Sequence, residues 1–163
     1  MNSYHPVVQK ILDLLKQNNF WFETFEHEPV KTSEQAALTR PGYTLHQGAK
    51  AMIIKAYKTK SDGKFVMLVF PADQKFDSGK VKESLGVKNL RFATEAEVGE
   101  VTGGVQIGGV PPFGNLFNLD VYADSSLFQN EKIVFNAGDR GFSVAIKSAD
   151  YLILVNPQVK DLI

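Results

Sequence analysis

The chain has no cysteine among its 163 residues, which removes disulfides, thiolate nucleophiles and cysteine-ligated zinc from consideration. Histidine is nearly as scarce. His5, His27 and His46 form neither an HxxxH nor an HxH pair, so no metal is expected to be held by them. Charge of either sign is not in excess, with 18 basic against 18 acidic residues, which is not the global signature of a protein that grips nucleic acid by bulk electrostatics. No stretch approaches the roughly 18 consecutive apolar residues of a membrane span. The opening MNSYHPVVQKILDLLKQNN also lacks the basic segment and apolar run of a secretory signal, so a cytoplasmic protein without a membrane partner is expected. The patterns GxSxG, GxxxxGK[ST] and GxGxxG are all missing, and with them the serine nucleophile elbow and the common nucleotide-binding loops.

What is present is a chain able to bury a core, with 44% hydrophobic residues and neither a linker nor a repeat to divide it, which reads as one domain over 1–163. Val7, Val8, Ile11, Leu12, Leu14 and Leu15 make a helical stripe over about 6–18, with Pro6 suited to the first helical position. WFETFEH (21–27) alternates as a short strand, and TSEQAAL (32–38) reads as a helix with Thr32 as N-cap and Gln35 closing a capping box. AKAMIIKAYK (49–58) and KFVMLVF (64–70) are the strongest strand signals, joined as a hairpin through an Asp62-Gly63 turn. Asp77 caps a helix over SGKVKESLG, and Thr94 with Glu97 forms a capping box ahead of Val98. NLDVYAD, KIVFNAG and GFSVAIK follow as strands, and SADYLILV as a helix or short turn. This mixed order lacks regular βαβ alternation. It predicts an α+β fold with a mixed, strongly curved β-sheet, a pseudo-barrel, surrounded by short helices.

Two features point to chemistry. Residues 105–115, VQIGGVPPFGN, gather Gly108, Gly109, Pro111, Pro112 and Gly114 in a loop whose shape is set by its backbone; it reads either as a tight connection or as a binding loop that offers its own N–H groups. Lys50 begins the apolar face that continues through Met52 and Ile54, so it either lays its stem on apolar surface or stands as a cation at a pocket mouth. It also opens a basic segment: ten Lys and Arg stand against four acids between Lys50 and Arg91, a local basic face or simply a set of solvated lysines.

The series EHEP, GAKAMIIK, VFPADQKFDSGKVKESLG, GGVPPFG and LDVYADSSLFQNEKIVFNAGDRGFSVAI, from about Trp21 to Pro157, resembles the YbaK and prolyl-tRNA synthetase editing-domain family in order and spacing. The resemblance implies a metal-independent trans-editing enzyme that needs no cofactor and hydrolyses the ester of misacylated tRNA at its acceptor end, with an aminoacyl-tRNA synthetase as a further partner. The alternative is a non-catalytic module that binds tRNA or a synthetase on the same fold. The resemblance further implies Lys50, Gly108 and Pro112 as the catalytic set, the two loop residues being the ends of a G-x-x-x-P motif. Gly109, Val110, Pro111 and Phe113 would bind substrate, with Gly138 and Asp139 nearby.

Overall fold

The computed structural model describes residues 3–29 and 33–163, as five α-helices and eight strands in two sheets. The first helix, α1 (Pro6–Gln17), starts where proline predicts, and His5 caps it. His5 Nδ1 accepts the Val7 N–H at 3.0 Å, so its Nε2 carries the proton that reaches the Gly103 carbonyl at 2.9 Å. Val7, Val8, Ile11 and Leu15 are buried on one face, as the stripe requires. α2 (Ser33–Leu38) occupies the expected place, while its expected cap, Thr32, lies outside the described residues.

One sheet is wholly antiparallel, in the order β1 (Phe22–Glu26), β7 (Phe142–Lys147), β6 (Lys132–Asp139). The other runs β4 (Asn89–Phe92), β2 (Ala49–Tyr57), β3 (Lys64–Pro71), β5 (Asp120–Asp124), β8 (Gln158–Lys160). In it β2 is antiparallel to β3 and β4, whereas β3–β5 and β5–β8 are parallel. The α+β class and the mixed pairing are as expected, but the strands divide into two sheets: among the described residues one bridge, Gly48 to Val134, links them. The pseudo-barrel is therefore not closed.

β3 shows why FVMLVF, after the exposed Lys64, is an unbroken apolar run. Met67 and Val69 enter the main core between the sheets, whereas Val66, Leu68 and Phe70 enter a smaller cluster with Val81 and Leu162 on the opposite face. A strand covered on both faces needs no polar alternation. β2 divides likewise, Ile53 facing the main core and Met52 and Ile54 the smaller one, which bears out the face assigned to Lys50. The β2–β3 connection is longer than an Asp-Gly turn: residues 58–63 separate the strands, and the Asp62 carboxylate accepts the Thr59 N–H at 2.8 Å. Gly63 is small because a Cβ there would lie under 3 Å from the Tyr57 ring.

The remaining helices are α3 (Ser78–Leu85), α4 (Glu95–Thr102) and α5 (Ser148–Val155). Asp77 accepts the Lys80 N–H, and Thr94 with Glu97 forms both bonds of the capping box, as their sequences predict. Glu97 is also held by Arg91 in a two-pronged pair of 2.7 and 2.9 Å. Chiefly through that arginine, its carboxyl stays down at about 2. The cap thus ties α4 to β4. The short strands β4 and β8 were not predicted from sequence; at four and three residues they carry too little periodicity to register.

Candidate functional site

A cavity of about 730 Å³ opens where the edge of β2 changes neighbours. β4 pairs with β2 only from Ile54 onward, Ala93 adds one bond to the Ile53 carbonyl, and on the other side Gly48 bridges Val134 of β6. Between these contacts, among the described residues, no strand lies beside Lys50, Ala51 and Met52 on that edge. All three line the cavity, and Gly108 and Val110 of the Gly/Pro loop line it too. The two sequence features singled out for chemistry, nearly 60 residues apart in the chain, thus share one space.

Lys50 is exposed, and its ammonium has no ion-pair partner among the described residues. Several other cations of the 50–91 segment are engaged: Lys64 pairs with Asp120, Lys80 with Asp161 and Arg91 with Glu97, while Lys55 lies over the rings of Tyr57 and Phe65. The segment is therefore not one basic face. At the cavity its basic contribution narrows to Lys50 and Lys75, joined there by Arg40 and by the acidic Glu34 and Asp73.

The loop's glycines answer first to the backbone. Gln106 C=O accepts the Gly109 N–H at 2.9 Å, closing a four-residue turn whose third position, Gly108, has φ of +91°. That is where a type II turn demands glycine. Gly109 packs against the main chain of the β6–β7 turn, where an added Cβ would lie 3.3 Å from Asp139 Cα. The turn uses the Gly109 N–H, while the amides of Gly108 and Val110 are among those of the loop that have no protein acceptor among the described residues.

The rest of the motif anchors the loop from below. Pro111, Pro112 and Phe113 are buried, and none of them lines the cavity. Phe113 lies edge-on to Tyr151, with ring centres 5.7 Å apart, and 5.4 Å from Phe135. Tyr151 Oη donates to the Pro112 carbonyl at 2.6 Å, and burial holds the tyrosine far above its ordinary pKa. Tyr151→Phe should thus cost about 1–3 kcal/mol, since it leaves a buried carbonyl without its donor; chemical denaturation of the two proteins measures it, and an unchanged midpoint would show that the bond anchors nothing.

Of the NAGDRG segment, Gly138 faces α1: its φ is +121° and an added Cβ would overlap Val7 Cγ1. Asp139 accepts the Gly141 N–H at 2.8 Å through its side chain. Neither lines the cavity. The residues of this region that reach the loop are Asn136, whose amide donates to the Gly108 carbonyl at 2.6 Å, and Arg140, whose Nε and Nη2 both donate to the Ile107 carbonyl, Nε at 2.7 Å. Sequence reasoning missed both, and it also missed Arg40 and Phe92 in the cavity wall. The only sequence signal for them was a place within or near the recognised motifs.

The remaining histidines are also occupied. His27 Nε2 lies 2.9 Å from Ser143 Oγ, and His46 Nδ1 3.2 Å from Asp73. Among the described residues no three His, Asp or Glu gather as a metal would require, and no helix is long and apolar enough to cross a membrane.

Residues 27–154 match the family model described as "Aminoacyl-tRNA editing domain". A Multifunctional Ser/Thr-tRNA deacylase ProXp-y of Escherichia coli (strain K12) is 36% identical over 93% of this chain and 89% of its own. A proline–tRNA ligase of Bacillus licheniformis is 34% identical over 60% of this chain, a stretch amounting to 16% of the ligase. Among solved structures, one described as a candidate trans-editing enzyme for prolyl-tRNA synthetase superposes with a TM-score of 0.81 at 26% identity, over 98% of both chains.

Proposed function

The chain belongs to the aminoacyl-tRNA editing domain family, and from that membership we propose that it is a trans-editing hydrolase of the cytoplasm that works as a single domain on the acceptor end of misacylated tRNA. Water adds to the carbonyl carbon of the aminoacyl ester, the bond from that carbon to the ribose oxygen breaks, and a free amino acid and an uncharged tRNA leave. The observation that carries this reading is the cavity shared by Lys50, Gly108 and Val110.

Each part has a task in that reaction. As the ester carbonyl becomes tetrahedral its oxygen gains negative charge, and fixed backbone donors stabilise it without reorganising. The unclaimed amides of Gly108 and Val110 supply such donors. Lys50, at the cavity and with no ion-pair partner among the described residues, suits a phosphate or terminal ribose oxygen. Pro112 contributes by holding the loop through Tyr151. The name of the Escherichia coli relative supports seryl and threonyl esters as the first substrates to try, and the prolyl-tRNA synthetase relationship supports that synthetase as a partner.

The test is a panel of tRNAs, each charged with the wrong amino acid, incubated with the protein while release of labelled amino acid is followed. Release from at least one member, with correctly charged tRNA spared, is expected; binding without release from any member would make the protein a tRNA-binding module. Binding should weaken as salt rises, because phosphate contacts release counterions. Affinity unchanged between low and moderate salt would remove the phosphate contact from the reading.

A further inference from the structure

The two peptide units on either side of Gly108, in the loop that carries the proposed donors, are held by side chains of β6 and of the β6–β7 turn, Asn136 and Arg140. Arg140 donates to Ile107 C=O through Nε and Nη2. That carbonyl belongs to the same peptide unit as the Gly108 N–H. A cation on the oxygen side of a peptide draws electron density from its nitrogen side, so the N–H becomes a stronger donor. The next peptide unit is held by Asn136, whose Nδ2 reaches Gly108 C=O at 2.6 Å.

Asn136 is itself oriented. Arg40 Nη2 donates to its Oδ1 at 2.8 Å, which obliges the amide NH₂ to point at the loop; the flipped amide would set donor against donor. Arg40 Nε donates to Ser143 Oγ at 3.0 Å, and Ser143, opposite Asn136 in the β6–β7 ladder, lies 3.1 Å from the same Oδ1 and 2.9 Å from His27 Nε2. Arg40 is only 6% exposed, and no described Asp or Glu pairs with it. Its guanidinium feels that burial as a pKa lowered to about 10, so it keeps its charge at neutral pH. A buried cation whose bonds to the described residues are all to neutral oxygens is a poor device for stability, since apolar residues of similar size avoid the desolvation cost. Arg40, Asn136 and Gly108 nevertheless line one cavity.

We propose that Arg140, and Arg40 acting through Asn136, are positioning residues of the deacylation: two arms that fix the 106–109 turn and hold the Gly108 N–H where the ester oxygen becomes negative. The inference rests on the deacylase reading above. It assigns these residues to the rate of the chemical step and not to tRNA affinity, because none of their named bonds is to a group that would hold the nucleic acid.

The experiment measures single-turnover deacylation, tRNA affinity and melting temperature for the parent protein and for Asn136→Ala, Arg140→Met, Arg140→Lys, Arg40→Met and the Arg40→Met/Asn136→Ala pair. Asn136→Ala and Arg140→Met should each slow the chemical step about tenfold or more per folded molecule, as the loss of a well-placed oxyanion donor does, with tRNA affinity unchanged. Arg140→Lys should recover part of the rate, since it keeps a cation. The double variant should be no slower than Asn136→Ala alone, because the two residues form one arm. Parent-like rates in folded Asn136→Ala and Arg140→Met, or a loss confined to tRNA affinity or to melting temperature, would overturn the assignment while leaving the deacylase reading intact. No release by the parent protein from any mischarged tRNA would sink both.

Discussion

Gly138→Ala is expected to destabilise the protein by about 2–6 kcal/mol while leaving the deacylation rate of the molecules that remain folded close to the parent value. Two costs add. The φ of +121° is a backbone conformation that a Cβ disfavours, at roughly 1–3 kcal/mol, and the new methyl would overlap Val7 Cγ1, with Val8 close behind. Overpacking of this kind costs about 1–3 kcal/mol. Val7 and Val8 are buried on α1, which packs against β6, so relief requires α1 to move off the sheet. Melting and single-turnover deacylation on one preparation separate the possibilities. A protein as stable as the parent but slow in turnover would return Gly138 to the substrate site, where the sequence reading had put it.

Lys50→Ala is expected to do the opposite. Its side chain is exposed and bonded to no described residue, so stability should hold within about 0.5 kcal/mol, as for surface substitutions generally. If the ammonium binds a phosphate or ribose oxygen of the acceptor end, its removal costs a charge-assisted hydrogen bond of about 1.5–3 kcal/mol, which is roughly a 10- to 150-fold fall in kcat/KM. Lys50→Arg tests the geometry: a planar fork on a longer reach should recover only part of the loss. Full activity in folded Lys50→Ala would leave the cavity without its proposed cation contact and would move that role to Lys75, which also lines it.

These two residues mark what could be read from sequence. Lys50 was legible because strand alternation is a local property: the face shared with Met52 and Ile54 follows from period two, and the structure divides β2 between its two apolar clusters on that parity. The caps were legible for the same reason. Asp77 and the Thr94–Glu97 box act within one turn of chain, where the competing partners are few. Gly138 was not legible, since nothing in NAGDRG announces that α1, some 130 residues earlier, packs against it.

The loop lies between these cases. Its sequence implied a backbone shaped by glycine and proline, and the turn at Gln106–Gly109 with its positive φ at Gly108 bears that out. It did not reveal that Pro111, Pro112 and Phe113 face into the core, because a proline's burial depends on what lies beneath the loop, here Tyr151 and Phe135. Nor did it reveal Asn136, Arg140 and Arg40, whose bonds to the loop or to one another span 28 to 96 residues.

The amino-acid sequence by itself determined the longer strands, the caps at Asp77 and Thr94, the helical stripe of α1, and the pair of features proposed to carry the chemistry, because each rests on a periodicity or hydrogen bond closed within a few residues. Tertiary structure alone decided that the curved surface divides into two sheets joined at Gly48 and Val134, that the cavity opens along the unpaired edge of β2 between them, and which side chains hold the loop. Those outcomes depend on which segments become neighbours in space, and hydrogen bonds between distant segments leave no period in the chain from which to read them.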